Sequence, residues 1–174
     1  MCYEDKELLK FKYRFPFIFE GMKDFSFVTE SLVNADRETV WKHVTQMKNV
    51  NAELFPFVRM TYPLDRKEIG QQEIPLQETL FKSVVYLFGF IPADIHHLKL
   101  DKIEAGRAFY ENSSTLTHKY WKHTRTLTEQ DGQTLVRDEI HFLPRFAPLG
   151  YIYLPLIKKI FENRHQQLKK AFSV

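Results

Sequence analysis

A β-hairpin predicted between residues 120 and 142 constrains this chain more than any other feature of its sequence. Its turn is Asp131-Gly132, a dipeptide typical of tight hairpins, and side chains alternate between the two faces of each strand. One face therefore carries His123, Arg125 and Asp138. The same face carries the apolar side chains of Trp121, Leu127, Val136, Ile140 and Phe142. Because buried charges cost several kcal/mol unless they are paired or neutralised, the hairpin predicts a wet internal cavity.

The length of the hairpin turn decides which of these polar residues face each other. A two-residue turn at Asp131-Gly132 sets Arg125 opposite Asp138, whereas a four-residue loop sets His123 opposite Asp138. Both registers bring the polar residues together. A bulge that shifts the alternation by one residue would break this inference.

Length and composition predict a single domain over residues 1–174. The chain has 44% hydrophobic and 15% aromatic residues, which is ample material for a core. Residues 1–24 are interpreted as an amino-terminal extension, and an added strand within it is left open. The formal net charge of +3 is spread along the sequence without a basic stripe, which argues against nucleic-acid binding.

The sequence also predicts a soluble, cytoplasmic protein. Cys2 is its single cysteine, which excludes an internal disulfide framework and fits a reducing compartment. The amino terminus lacks an apolar signal-peptide stretch, and the longest apolar segment, residues 83–92, is too short to span a bilayer. We therefore expect no stable membrane insertion.

The order of the predicted elements indicates an α+β fold. A strand over residues 25–34 precedes a helix for which Asn34-Ala35-Asp36 supplies a cap, and residues 47–54 predict a second short helix or turn. Further strands are predicted at residues 57–62, 79–88, 94–103 and 109–113, ahead of the hairpin. A long amphipathic helix is predicted from Pro155 to the carboxyl end. This order favours a curved antiparallel sheet with the last helix lying across it.

Four motifs in this order resemble the SRPBCC superfamily, the helix-grip group that includes START domains, pollen-allergen-like proteins and polyketide cyclases. They are Asn34-Ala35-Asp36-Arg37-Glu38-Thr39-Val40-Trp41, His123-x-Arg125, Asp131-Gly132-x-Thr134-x-Val136-x-Asp138 and Ile160-Phe161-x-x-Arg164-x-x-x-Leu168. The resemblance spans roughly residues 25–172 and is carried by the order of elements. It implies a curved sheet gripping the carboxyl-terminal helix, two short helices after the first strand, and an apolar cavity. It does not imply a reaction, because these folds host carriers, receptors and enzymes alike.

The predicted ligand site combines the polar hairpin face with apolar neighbours and the inner face of the last helix. Its residues are Trp121, His123, Arg125, Asp138, Glu111, Ile140, Phe161 and His165. Glu111 joins this face only if residues 104–107 close a simple hairpin. The polar members either recognise a polar ligand group or work as acid and base, or they form a buried ion-pair network that fixes the strand register.

Neither a metal site nor a cofactor is expected. His96 and His97 are adjacent on a strand and point to opposite faces, and His118 and His123, five positions apart, are predicted to do the same. No zinc-type ligand spacing occurs.

Two apolar runs allow two interpretations. As loop tips, residues 54–57 and 87–92 would form the mouth of the cavity or touch a membrane surface. As strand ends, they would be part of the core. We favour the core, because short apolar runs are often buried strands.

Three functions are compatible with these features. The leading hypothesis is a binding protein or carrier for a small hydrophobic or aromatic ligand, lipid-, quinone- or polyketide-like, with a polar head group. The second is an enzyme of cyclase, aromatase or dehydratase type, in which His123 and Asp138 move protons while Arg125 polarises a carbonyl. The third is a protein-interaction or assembly module, which would show a large exposed apolar patch.

Overall fold

The computed structural model describes residues 23–70 and 74–173. The elements in chain order are β1 (Phe25–Val33), α1 (Arg37–Val44), α2 (Met47–Leu54), β2 (Val58–Met60), β3 (Thr79–Leu87), β4 (Ile91–Glu104), β5 (Ala108–Thr115), β6 (His118–Gln130), β7 (Gln133–Pro144) and α3 (Ala147–Ala171). The postulated added strand in the amino-terminal extension falls almost wholly outside the described residues.

The strands form one antiparallel sheet in the order β1-β7-β6-β5-β4-β3-β2. The first strand pairs with the last, and helix α3 packs against β1 and α2, so the curled sheet wraps the long helix. The predicted α+β architecture, with two short helices after the first strand, is confirmed. The sheet and α2 and α3 enclose the space in which the candidate site lies.

The β6–β7 hairpin has the shorter of the two predicted turns. Asp131 and Gly132 both have positive φ angles, 48° and 78°, as a two-residue type I′ turn requires. Arg125 consequently pairs with Asp138, and His123 pairs with Ile140. The alternative prediction, a four-residue loop that pairs His123 with Asp138, is therefore wrong.

Helix α3 begins earlier than predicted. It starts at Ala147, and Pro155 lies inside it and not at its beginning. The reason is that residues 147–154 are almost entirely apolar, so no helical period is visible in the sequence. Pro148 lies in the first turn, where the missing N–H of proline costs nothing.

The two apolar runs end in exposed rings, so the favoured core interpretation is wrong at their tips. Phe55, Phe88 and Phe90 are 67%, 56% and 73% exposed. Phe88 and Gly89 adopt positive φ angles of 51° and 80° in the turn between β3 and β4, which projects these side chains outward. Within the two runs only Leu54 is buried, whereas Phe57 and Leu87 are partly buried and Ile91 is exposed.

The crossing of α3 over β1 depends on a residue without a side chain. A Cβ atom added at Gly150 would lie 2.1 Å from Cε2 of Phe25. The Phe25 ring is buried and stacks on Phe142 at 5.5 Å between centroids, so it has little room to move. We expect Gly150→Ala to lower the free energy of unfolding by about 1–3 kcal/mol, measured by urea denaturation.

A double variant separates this clash from other effects. Alanine is otherwise better than glycine inside a helix by about 1 kcal/mol, so a loss of stability identifies the contact. In the Phe25→Leu background the Gly150→Ala change should become neutral or stabilising. An equal loss in both backgrounds would show that the contact with Phe25 is not responsible.

Candidate functional site

A cavity of about 300 Å³ lies between the sheet and helices α2 and α3. Its walls are mostly apolar. They include Val50, Leu98, Phe109, Trp121, Ile157 and Phe161. Polar side chains also reach the walls, namely Asp94, His96, Glu111, Thr115, Thr117, His118, His123 and Arg164. An apolar chamber with a few polar groups is the usual form of a small-molecule site.

The residues predicted for the ligand site fall into two groups. Trp121, His123, Glu111 and Phe161 line the cavity. Arg125, Asp138, Ile140 and His165 are all buried but are not among the lining residues. The polar cluster predicted from the hairpin therefore faces the cavity through His123 and Glu111, while its charged centre lies behind the wall.

Arg125 and Asp138 form the charged centre of the cluster. Both are fully buried, and Arg125 donates two parallel hydrogen bonds to the carboxylate, from Nε and Nη2, each 2.7 Å long. Burial alone would lower the pKa of Arg125, but Asp138 and Glu53 raise it. Burial alone would raise the pKa of Asp138, but Arg125 and His123 hold it well below its ordinary value. The pair is therefore ionised on both sides at neutral pH.

A second carboxylate, Glu53 on helix α2, joins two arginines. Its Oε2 accepts from Nη1 of Arg125 at 3.1 Å and from Nη2 of Arg164 at 3.0 Å. Arg164 comes from α3, and its guanidinium lies 5.0 Å from the ring centroid of Phe161. Two arginines and two carboxylates thus tie the sheet to both helices in a balanced set of formal charges.

Histidines extend the network on both sides of Asp138. His123 Nε2 and His165 Nε2 donate to its two oxygens at 3.0 and 3.1 Å. His165 Nδ1 also shares a 2.8 Å hydrogen bond with Ser31 Oγ on β1. Asp138 consequently connects β6, β7 and α3, and through His165 also β1.

Glu111 forms the part of the network nearest the cavity. The β4–β5 hairpin closes at Glu104 and Ala108, not around a simple loop over residues 104–107, and a bulge between Leu100 and Lys102 then places Glu111 opposite Leu100. Its carboxylate accepts from His96 Nε2 and Ser113 Oγ, each at 2.6 Å, and lies 3.5 Å from His123 Nδ1. Burial alone would raise the pKa of Glu111, but His96 and His123 lower it.

The geometry limits what His123 can do chemically. One ring nitrogen bonds Asp138 and the other faces Glu111, so neither is free to take a proton from a bound molecule. Arg125 and Asp138 do not line the cavity and cannot touch its contents. The cluster therefore acts as a scaffold that fixes His123 and Glu111 in the wall.

Three polar residues near the site were not predicted as part of it. Glu53 could have been found, because it follows Val50 by three residues on the buried face of α2. His96 was considered only as a metal ligand. His118 was assigned to the face opposite His123, which is wrong: a bulge between His118 and Tyr120 shifts the alternation, and both histidines are buried.

Three histidines thus lie in one cavity wall, but their arrangement does not form a metal centre. No group of three or more His, Cys, Asp or Glu side chains within residues 23–70 and 74–173 is placed to hold a metal ion. In the same ranges no helix has both the length and the hydropathy required to cross a bilayer.

A curved antiparallel sheet that wraps a long carboxyl-terminal helix around a cavity is the helix-grip fold, so the fold that the predicted resemblance implies is confirmed. The chain belongs to the family described as Domain of unknown function (DUF8410), whose model matches residues 31–172. None of the curated proteins compared with this chain matches it.

Three solved structures illustrate the shared fold. A START superfamily protein from Mycobacterium smegmatis is 8% identical, with a TM-score of 0.59 over 84% of this chain and 96% of that one. Ara h 8.0201 is 13% identical, with a TM-score of 0.60 over 86% and 98%. DynU16, from the dynemicin biosynthetic locus, is 16% identical, with a TM-score of 0.53 over 84% of this chain and 48% of DynU16. This chain therefore spans about half the length of DynU16.

Proposed function

We propose that the protein binds or carries a small, largely apolar ligand in its internal cavity. The observation that supports this best is the chamber of about 300 Å³, with mostly apolar walls and a few polar groups. Lipid-, quinone- or polyketide-like molecules with one polar group match this lining. Apolar walls contribute about 25 cal/mol for each Å² of ligand surface removed from water, so shape and apolar area supply most of the affinity.

Each of the predicted site residues has a place in this proposal. Trp121 and Phe161, whose ring centroids are 6.3 Å apart, contact the apolar body of the ligand. Glu111 and His123 supply the polar wall. Arg125, Asp138, Ile140 and His165 support that wall from behind. The cytoplasmic location belongs to the same proposal, because a single cysteine fits a reducing compartment.

Catalysis of the cyclase, aromatase or dehydratase type is the weaker candidate. Proton transfer by His123 needs a free ring nitrogen, and both of its nitrogens face carboxylates. Polarisation of a carbonyl by Arg125 needs contact with the ligand, and Arg125 does not line the cavity.

Filling the cavity tests the proposal directly. Val85 on β3 lines the cavity, whereas its neighbour Val84 is not among the lining residues. We expect Val85→Trp to weaken binding of the fluorescent apolar probe N-phenyl-1-naphthylamine about tenfold or more, because the indole occupies the space the probe needs. Fluorescence titration of purified protein measures this.

Val84→Trp is the matched control. It adds the same indole to the same strand on the opposite face and should leave probe affinity within about twofold of wild type. Thermal melting checks that both variants are folded. No probe binding to the wild type, or equal weakening by both variants, contradicts an internal ligand site. Native mass spectrometry and organic extraction of the freshly purified protein then identify any natural ligand.

A further inference from the structure

One ring nitrogen in the cavity wall has no hydrogen-bond partner among the described residues. This is Nε2 of His118, a residue that lines the cavity and is only 6% exposed. Buried polar atoms are nearly always paired, so an orphan atom beside an apolar cavity requires an explanation. Glu53 Oε1 and Ser83 Oγ also lack partners, but neither residue is among those that line the cavity.

The other nitrogen of the ring, Nδ1, is held in one protonation state by its neighbours. Asp94 accepts the hydroxyl hydrogens of Thr115, at 2.8 Å, and of Thr117. A carboxylate can only accept, so both hydroxyls have used their hydrogens and keep only lone pairs. Those lone pairs face His118 Nδ1 at 3.2 Å for Thr115 and 2.9 Å for Thr117. Nδ1 therefore carries a hydrogen and donates it.

The ring of His118 is packed among aromatic side chains. Its centroid lies 5.9 Å from Trp121, 5.2 Å from Phe142 and 5.0 Å from Tyr153, all aromatic neighbours. Asp94 lies 3.9 Å from Nδ1, beyond hydrogen-bond range, and accepts from the two hydroxyls and from backbone N–H groups including that of Leu116. A neutral imidazole that carries its hydrogen on Nδ1 has a lone pair on Nε2, and this atom belongs to a residue of the cavity wall.

The other basic and acidic groups of the polar wall are already engaged. Glu111 accepts from His96 and Ser113, and His123 bonds Asp138. Arg164 donates to Glu53. Nε2 of His118 is thus the acceptor in this wall that a ligand donor would satisfy.

We propose that His118 Nε2 accepts a hydrogen bond from a hydroxyl group of the ligand, so that the cavity selects ring-sized apolar molecules that carry a hydroxyl. This rests on the proposed ligand-binding function and specifies the substrate class. The Asp94, Thr115 and Thr117 side chains act as positioning residues, because they fix the hydrogen on Nδ1 and thereby leave Nε2 as an acceptor.

Three naphthalene probes of nearly equal size test the assignment. 2-Naphthol carries a hydroxyl donor, 2-methoxynaphthalene carries an acceptor only, and 2-methylnaphthalene carries neither. Since pairing an orphaned acceptor favours the matching ligand, we expect the wild type to bind 2-naphthol about tenfold or more tightly than either of the others. The methyl compound is the most apolar, so apolar burial alone predicts the opposite order. Isothermal titration calorimetry measures all three affinities.

Two phenylalanine variants locate the effect. His118→Phe keeps a ring of similar size but removes the acceptor, so the preference for 2-naphthol should disappear while 2-methylnaphthalene still binds. His97→Phe is the control, because His97 lies on β4 and does not line the cavity. It should retain the preference. The wild-type series remains decisive if His118→Phe does not fold.

The outcomes separate this inference from the function it rests on. Failure of every probe to bind the wild type overturns the proposed function and this inference with it. Binding of 2-naphthol and 2-methylnaphthalene with equal affinity overturns only the role of His118. Equal binding of 2-naphthol and 2-methoxynaphthalene, both ahead of the methyl compound, makes Nε2 a donor and overturns the acceptor assignment. If His97→Phe loses the preference for 2-naphthol as fully as His118→Phe does, the preference does not come from His118, and the acceptor assignment is overturned.

Discussion

Asp138→Asn should lower the free energy of unfolding by about 3–5 kcal/mol, the usual cost of removing one partner from a buried ion pair. Arg125 is fully buried and would keep its positive charge, because Glu53, the other carboxylate that raises its pKa, remains; half of its compensating charge would be lost. The amide group of asparagine also turns a donor toward a position where Asp138 accepts from His123, His165 and Arg125. Urea denaturation at neutral pH measures the loss.

Glu139→Gln is the matched control for this prediction. Glu139 is the next residue on the same strand, and its pairs with Arg137 and His141 are about 40% exposed. Removing its charge should cost at most about 1 kcal/mol, as for other surface ion pairs. Similar losses in the two variants would mean that the buried network contributes no more than a surface pair.

The sequence was sufficient to predict the pairing of Arg125 with Asp138 at the centre of this network. Asp131-Gly132 fixes the turn type, the turn type fixes the register, and the alternation of side chains then places Arg125 against Asp138. Each of these steps is local. A cap of α1 within Asn34-Ala35-Asp36 was predicted for the same reason, since Asp36 accepts from the backbone N–H and the hydroxyl of Thr39, only three residues away.

The partners that complete the network could not be predicted in the same way. Glu53 is 72 residues from Arg125 and 111 residues from Arg164 in the sequence. Contacts between residues so far apart produce no periodic pattern in the sequence. His118 was misplaced because a bulge changes the alternation by one residue and has no sequence signal of its own. The sequence therefore did not predict how the elements pack against one another. That packing also decides which polar side chains line the cavity and which lie behind its wall.

The buried charges and the cavity wall contribute differently to ligand binding. Charges held by one another in a buried cluster contribute rigidity, whereas a polar atom without a hydrogen-bond partner beside a cavity contributes selectivity. Arg125 and Asp138 belong to the first kind, and His118 Nε2 belongs to the second. The predicted functional residues and the groups available to a ligand consequently overlap only in part.

The stability of the protein should fall steeply as the pH is lowered below about 4, where free carboxylates take up protons. Burial alone would raise the pKa values of Asp138 and Glu111, but Arg125 and His123 lower that of Asp138, and His96 and His123 lower that of Glu111. A carboxyl group whose pKa is lower in the folded state stabilises the protein above its unfolded pKa. This stabilisation is lost as the pH falls toward the folded value, because the unfolded chain binds more protons. Each unit of pKa difference between the folded and unfolded states corresponds to about 1.4 kcal/mol of stability.

Urea denaturation of the wild type and two variants between about pH 7 and pH 3 checks the origin of this loss. Glu111→Gln removes one of the two buried carboxylates, so its stability should be lower at neutral pH and should fall less steeply under acid. Glu139→Gln removes an exposed carboxylate from β7, the strand of Asp138, and should follow the wild-type slope within error. If the wild type keeps its neutral-pH stability at about pH 3, the buried carboxylates do not have the lowered pKa values that their partners require. If all three proteins lose stability in parallel, the acid sensitivity arises outside the cluster, because only Glu111→Gln removes one of its proton-binding groups.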